Sequence, residues 1–157
     1  FIDDMYREAQ RVKGSCQFIR VYHPCIDNGT CEELKRWIDD GQTYVGVGAE
    51  CHSIFGKIFK MTRDKVKVHG FAMTQRPVLS KYPFYSADST SPLTTLTYGC
   101  HIGDGFKIYG RDRVRKNKMR SIVFDQYKKV KVGVEAFLQF QNEMTNIWEA
   151  RGVHWDD

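Results

Sequence analysis

Segments with a two-residue hydrophobic period alternate with segments of helical period from residue 2 to residue 88, and this alternation restricts the fold more than any other feature of the chain. Ile2, Met5, Tyr6, Ala9 and Val12 recur at helical spacing, and Gly14 follows as a stop. Residues 17–22 (QFIRVY) read as a strand. Thr30 and Glu33 have the spacing of a capping box, which predicts a helix with Leu34, Trp37 and Ile38 on one side and an end near Gly41. Residues 43–48 (TYVGVG) form a strand that runs into a glycine turn. Ile54, Phe55, Ile58 and Phe59 mark the next helix, and residues 65–71 (KVKVHGF) the next strand. Thr74 is placed to cap a short helix through Leu79, and residues 83–88 (PFYSAD) complete the series.

Strands and helices alternating at about 20–25 residues are βα units, and βα units build parallel sheets. The two folds of this kind are the doubly wound sheet and the (β/α) barrel. Four strands cannot close a barrel, which typically needs eight strands and about 250 residues. The chain has 157 residues and begins with Phe1 rather than methionine. The expected fold is therefore α/β: one domain over residues 1–157 that carries the C-terminal half of a TIM-type barrel in residues 1–91. A Gly-rich, polar and basic excursion with a short strand at Lys107–Tyr109 is expected over 92–131. A C-terminal helix and tail follow over 132–157, with Val134, Phe137, Leu138, Met144, Ile147 and Trp148 on its apolar side and Gly152 as its stop. This helix is expected on the outer face of the barrel. A half barrel has two sheet edges, which invites a missing N-terminal half or a second copy.

The apolar fraction of 41% and charged fraction of 27% suit a globular domain and exclude disordered and collagen-like classes. No apolar run approaches the roughly 18–20 residues that span a bilayer, and Asp3 and Asp4 occupy the place of a signal peptide's basic region. The five cysteines (Cys16, Cys25, Cys31, Cys51, Cys100) are odd in number and contain no Cys-x-x-Cys pair, as expected of reduced thiols in a cytoplasmic protein. The +5 net charge is unevenly spread. Residues 107–131 hold ten basic and two acidic residues, a surplus of eight, so the remainder of the chain carries −3. A basic block on an acidic body suggests a polyanionic partner, although a solvated basic face would look the same. Arg111, Arg113, Arg115, Lys116, Lys118 and Arg120 are its densest part, and Tyr109 and Tyr127 could stack on bases.

In α/β barrels the working residues sit at the C-terminal ends of strands. Those ends read Tyr22-His23-Pro24-Cys25, Gly46-Val47-Gly48-Ala49-Glu50-Cys51-His52, His69-Gly70-Phe71, and Ser86-Ala87-Asp88-Ser89-Thr90. Asp88 is the sharpest of these residues, because a carboxylate can serve as nucleophile, base or metal ligand. An aspartate there equally caps its own turn through Ser89 and Thr90. Gly46 and Gly48 allow a flat ligand to approach the backbone, or simply a tight turn; the third glycine of a dinucleotide fingerprint is missing. His23, Cys25, Cys31, Cys51, His52, Cys100 and His101 are zinc-ligand types. Adjacent Cys-His pairs point to opposite faces of a strand, however, and no pair has structural-site spacing, so no cofactor is expected and zinc is the one alternative these residues leave. No G-x-S-x-G elbow accompanies the histidines for a Ser or Cys nucleophile.

His69-Gly70-Phe71-Ala72-Met73-Thr74 followed by Tyr85-Ser86-Ala87-Asp88-Ser89-Thr90-Ser91, with Val45-Gly46-Val47-Gly48 upstream, resembles the tRNA-guanine transglycosylase superfamily. It resembles in particular the phage and bacterial branch that places deazapurines in DNA. The resemblance covers roughly residues 17–91, and the tail from Thr145 (TNIWEARGVHWDD) is more loosely similar to related phage proteins. It implies a (β/α) barrel that replaces guanine in DNA or tRNA by a free 7-deazaguanine base through a covalent aspartyl-glycosyl intermediate. Asp88 would be the nucleophile. Gly46, Val47, Gly48, His69 and Gly70 would line the base, and His23 would read it. His23-Pro24 stands where the family has Gln-Gly, and the family's second aspartate and its Cys-rich zinc signature have no counterpart in this chain. Two further expectations come from the residues alone: a non-catalytic nucleic-acid-binding module, and a metal-dependent barrel hydrolase such as a phosphodiesterase.

Overall fold

The computed structural model describes residues 2–12, 18–63, 65–89, 101–103, 107–109 and 126–155. Within them lie α1 (Ile2–Val12), β1 (Arg20–Tyr22), α2 (Glu32–Asp39), β2 (Tyr44–Val47), α3 (Phe55–Thr62), β3 (Lys67–Gly70), α4 (Arg76–Leu79), β4 (Ser86–Ala87), β5 (His101–Gly103), β6 (Lys107–Tyr109) and α5 (Gln126–Glu149). Short 3₁₀ turns at Pro24–Ile26 and Ala49–Ile54 follow β1 and β2. The chain separates into two compact units, residues 1–71 with 84–87 and residues 72–83 with 88–157.

The first unit is built on a four-stranded parallel sheet in the order β1-β2-β3-β4. The protein is thus α/β, and the sheet is open rather than closed. Val21, Gly46, His69 and Ser86 form one row across all four strands. The next row is Tyr22, Val47, Gly70 and Ala87. Alternation along the strands gives the sheet two unlike faces. Tyr22, Val45, Val47 and Val68 share the buried face. Tyr44, Lys67, His69 and Ser86 share the other and are only half-buried. Leu34 and Trp37 of α2, and Phe55, Ile58 and Phe59 of α3, complete the unit's core. The Trp37 ring meets Tyr22 edge-on at 6.3 Å, which fixes α2 on the buried face. Phe84 closes the α3 side, its ring 4.7 Å from Phe59 and 5.6 Å from Phe55.

Helix α1 is held by a stack of charges and rings. The Arg20 guanidinium lies 4.1 Å from the Tyr6 ring and 5.3 Å from that of Trp37, and it forms an ion pair with Asp3 at 3.2 Å. Asp3 also takes a hydrogen bond from Arg36 at 2.8 Å. That bond, with the two positive charges, holds the Asp3 carboxyl below the usual carboxylate range.

The capping box at Thr30 and Glu33 does not form. Cys31 precedes α2 in the left-handed region (φ 60°) and no side chain caps the helix at that position. The Asp27 carboxylate takes the role instead, accepting from the Glu33 N–H at 3.0 Å and from the Tyr22 hydroxyl at 2.6 Å. Glu33 turns to Trp37 Nε1 at 2.9 Å. A side chain three residues before the expected cap displaces it because it satisfies a helix N–H and a buried phenol together. Thr74 likewise does not cap α4, whose first flanking residue is Gln75. The strands are shorter than their hydrophobic runs, β1 starting at Arg20 and β4 at Ser86, while Gly14 lies outside the described residues.

In the second unit Phe140 and Met144 of α5 are buried, as are Met73, Val78 and Leu79. Trp148 Nε1 donates to the Leu79 carbonyl at 2.7 Å and Arg151 to that of Ser80 at 2.5 Å, while Arg76 pairs with Glu143. Gly152 ends the helix at φ 78°, as its position predicts. The helix begins at Gln126, so Lys128, Lys129 and Lys131 belong to it rather than to the basic excursion. Strands β5 and β6 pair antiparallel. No helix among the described residues is long and apolar enough to cross a membrane.

Burial pushes the Asp27 carboxyl up, but the bonds from Tyr22 and from the backbone of Glu33, Cys31 and Gly29 outweigh it and hold the group below its usual value. Its stabilising contribution is therefore complete above about pH 4 and is lost as the pH falls through the lowered folded value. Asp27→Ala should cost about 1–3 kcal/mol in urea unfolding at pH 7. The variant should lose less stability between pH 6 and pH 3 than the unaltered protein.

Candidate functional site

The C-terminal ends of the parallel strands carry the residues singled out by sequence, and hydrogen bonds tie several of them down. After β1, His23 Nδ1 meets Glu50 Oε1 at 2.9 Å. Both side chains are about half exposed, which limits the pair to a fraction of a kcal/mol as a stabilising contact but leaves it open to a ligand. Glu50 lies in the turn after β2 and also fills the space above Gly48. A β-carbon at Gly48 would collide with its carboxylate.

Gly46 is closed in a different way. A β-carbon there would stand 2.5 Å from Cε2 of Phe71, so the missing side chain makes room for a phenyl ring of the protein itself. The Phe71 ring is edge-on to His69, with centroids 4.5 Å apart. The open backbone platform expected at Gly46, Val47 and Gly48 is thus covered by Phe71 and Glu50. Val47 and Gly70 are buried.

His69 stands beside Gly46 in the sheet register and beside Ser86 on its other side. Its Nδ1 is 2.7 Å from Ser86 Oγ, and the Tyr44 hydroxyl is 2.7 Å from the same oxygen. Tyr85 packs edge-on against Tyr44 at 5.5 Å, and the Lys67 ammonium lies 4.2 Å from the Tyr85 ring centre. This half-buried polar row was only partly legible. His69 was a candidate from sequence, Ser86 and Glu50 were noted at strand ends without a role, and Tyr44 looked like an ordinary strand residue.

In the second unit Asp88 is exposed. Its Oδ1 accepts the Ala72 N–H at 2.5 Å, and its carbonyl accepts the Met73 N–H at 2.9 Å. Ala72 has φ 53°, a conformation unfavourable to a residue with a β-carbon. Asp88 therefore holds the turn after β3, reached across 16 residues, while Thr90 lies outside the described residues.

The described thiols differ in exposure and environment. Cys51 is buried with its Sγ 3.5 Å from the Tyr22 carbonyl, and burial pushes its pKa up to about 12. Cys31 is buried and Cys25 exposed. No group of three or more His, Cys, Asp or Glu side chains within reach of one metal ion occurs among the described residues. Arg111, Arg113, Arg115, Lys116, Lys118, Arg120, Cys16 and Cys100 lie outside them.

The two glycines make a discriminating pair of substitutions. Gly46→Ala forces a ring edge to move and should cost about 1–3 kcal/mol. Gly46→Ala combined with Phe71→Leu should recover most of that in urea unfolding. Gly48→Ala meets a flexible carboxylate and should cost less than Gly46→Ala, with the His23–Glu50 pair broken. Comparison of the chain with family models, with curated proteins and with solved structures returned no match.

Proposed function

We propose that the chain is part of a base-exchange transglycosylase that replaces guanine in DNA or tRNA by a 7-deazaguanine derivative, with Asp88 as the nucleophile. The state of that carboxylate carries the reading. Asp88 directly follows a parallel strand and is exposed. One of its oxygens is fixed by a main-chain N–H, and Oδ2 has no partner among the described residues. A carboxylate held by one oxygen and free at the other can add to a sugar carbon without first reorienting. In the proposed step Oδ2 bonds to C1′ as the C1′–N9 bond breaks. The electron pair leaves with guanine, which takes up a proton. The incoming base gives up its N9 proton, bonds to C1′ and returns the carboxylate.

Strand order supports the barrel that this chemistry uses in the resembling family. Each crossover from β1 to β4 steps in the same direction, whereas a doubly wound sheet reverses. The rest of the wall would come from further βα units or a second copy. The basic surplus over residues 107–131 supports a grip on phosphates, with Arg111, Arg113, Arg115, Lys116, Lys118 and Arg120 as contacts. The reaction requires no metal, and nucleic acid in the cytoplasm is the expected substrate.

Asp88→Asn tests the reading, because its amide oxygen still accepts from Ala72. The variant should unfold within about 0.5 kcal/mol of the unaltered protein, whereas Asp88→Ala should lose about 1 kcal/mol. Asp88→Asn should also abolish incorporation of labelled 7-deazaguanine into DNA or tRNA and the covalent adduct on the protein. Incorporation untouched by Asp88→Asn would refute the nucleophile. Salt-sensitive DNA binding with no exchange under any condition would point to a binding module instead.

A further inference from the structure

The half-buried polar row lies wholly within the first unit, and it holds a hydroxyl and an imidazole to which base exchange assigns no chemical step. We propose that Ser86 and His69 form a nucleophile–base pair, with Tyr44 donating to the serine oxygen, and that the pair hydrolyses carboxylic esters of small acyl groups through an acyl-serine intermediate. Neither Asp88 nor a nucleic acid takes part, so this chemistry stands or falls apart from the transglycosylase reading.

Strand register explains how the pair forms. Ser86 on β4 is the direct partner of His69 on β3. Directly paired residues point to the same face with β-carbons about 5 Å apart. The nearer imidazole nitrogen, Nδ1, therefore reaches the hydroxyl, at 2.7 Å. Tyr44 pairs with Lys67, two residues before His69, and lies two strands from β4. A side chain as long as a phenol spans that gap, and its hydroxyl is 2.7 Å from the same serine oxygen.

A neutral imidazole with its proton on Nε2 presents the Nδ1 lone pair to Ser86. Ser86 then donates to His69 and accepts from Tyr44, so all three groups are bonded. A serine hydroxyl becomes a nucleophile when a base within hydrogen-bond reach takes its proton. A phenol donating to the same oxygen stabilises the negative charge that develops as the proton leaves. The Phe71 ring, edge-on to His69 at 4.5 Å and packed over Gly46, gives a small acyl group an apolar neighbour.

In acylation Ser86 Oγ bonds to the ester carbonyl carbon and its proton passes to Nδ1. The carbonyl electron pair moves onto oxygen, toward which the Tyr44 hydroxyl turns. That pair returns as the bond to the alcohol oxygen breaks, and the imidazolium protonates the departing oxygen. Water then adds to the acyl carbon, giving its proton to Nδ1, and Oγ leaves and takes the proton back. One ester and one water yield one acid and one alcohol, and both residues end as they began.

The full chain is treated with p-nitrophenyl acetate and, separately, with a fluorophosphonate that phosphonylates activated serines, the labelled residue being located by mass spectrometry. The unaltered protein should release nitrophenolate and carry the label on Ser86, and Ser86→Ala should lose both. His69→Ala should lower labelling and kcat about 100-fold or more. The unaltered rate should rise with pH as the imidazole loses its proton, and His69→Ala should lose that dependence. Tyr44→Phe should lower kcat by less, with KM little changed. Ser86→Cys keeps a nucleophile in place and should react with iodoacetamide at residue 86 faster at pH 7 than the same variant combined with His69→Ala. A label that misses Ser86 in the unaltered protein, labelling undiminished by His69→Ala, or nitrophenolate release undiminished by Ser86→Ala overturns the proposal. Equal alkylation of residue 86 with and without His69 also overturns it.

Discussion

A parallel strand can join its neighbour only by crossing over, and the twist of the chain makes nearly every such crossover right-handed. When successive strands are laid down in one direction, right-handed crossovers put their helices on the same face of the sheet. The order β1-β2-β3-β4 obeys that constraint, and the two unlike faces follow from it. Tyr22, Val45, Val47 and Val68 are fully buried on the face where Trp37 of α2 packs. The opposite face is left for polar residues, and only there can Tyr44, His69 and Ser86 come together. The meeting of Tyr44, His69 and Ser86 is a consequence of that division of the two faces.

Acids then fix the loops that leave the strands. Asp27, after β1, ties Tyr22 to the start of α2. Glu50, after β2, covers Gly48 and bonds His23. Asp88, after β4, holds Ala72 in a conformation that alanine disfavours. Asp27 is partly buried, and its hydrogen bonds overcome burial to keep it ionised. Glu50 and Asp88 are exposed, and exposed carboxylates are weak structural elements because water competes for them. Asp27 is therefore the acid that contributes most to holding its loop, while Glu50 and Asp88 contribute less.

The alternation of periods revealed the four parallel strands and α1 to α4 because hydrophobic spacing is set by which face each residue must bury. It overstated strand length at residues 18–19 and 83–85, where apolar residues precede the start of the ladder; the Phe84 ring packs with α3 although the residue precedes β4. The helix start at residue 126 was hidden by lysines, which suit a helix well but read as part of a charge block. Local motifs failed where a tertiary partner outbid them: Thr30 and Glu33 have capping-box spacing, yet Asp27 and Trp37 take their places. Gly46 shows the same limit at the site. A glycine marks close approach by something, and sequence cannot say whether that neighbour is a ligand or, as here, a phenylalanine 25 residues on. Asp88 was legible because its position after a strand needs no partner to recognise, whereas its bond to Ala72 needed the fold.

The polar face also argues about what it meets. Inward positions of barrel walls are usually filled by branched apolar side chains that pack into a dry interior. Tyr44, Lys67, His69 and Ser86 instead line one face of the open sheet, and burying them dry would cost several kcal/mol unless each polar atom found a partner. The chain satisfies part of this demand internally, through the two bonds to Ser86 and the placement of Lys67 against Tyr85. What remains on this face, an imidazole nitrogen and a hydroxyl network that can reverse its donors, is poorly suited to apolar filling. The same alternation that buries Val45, Val47 and Val68 therefore leaves the opposite face a half-buried polar row that makes a poor dry core.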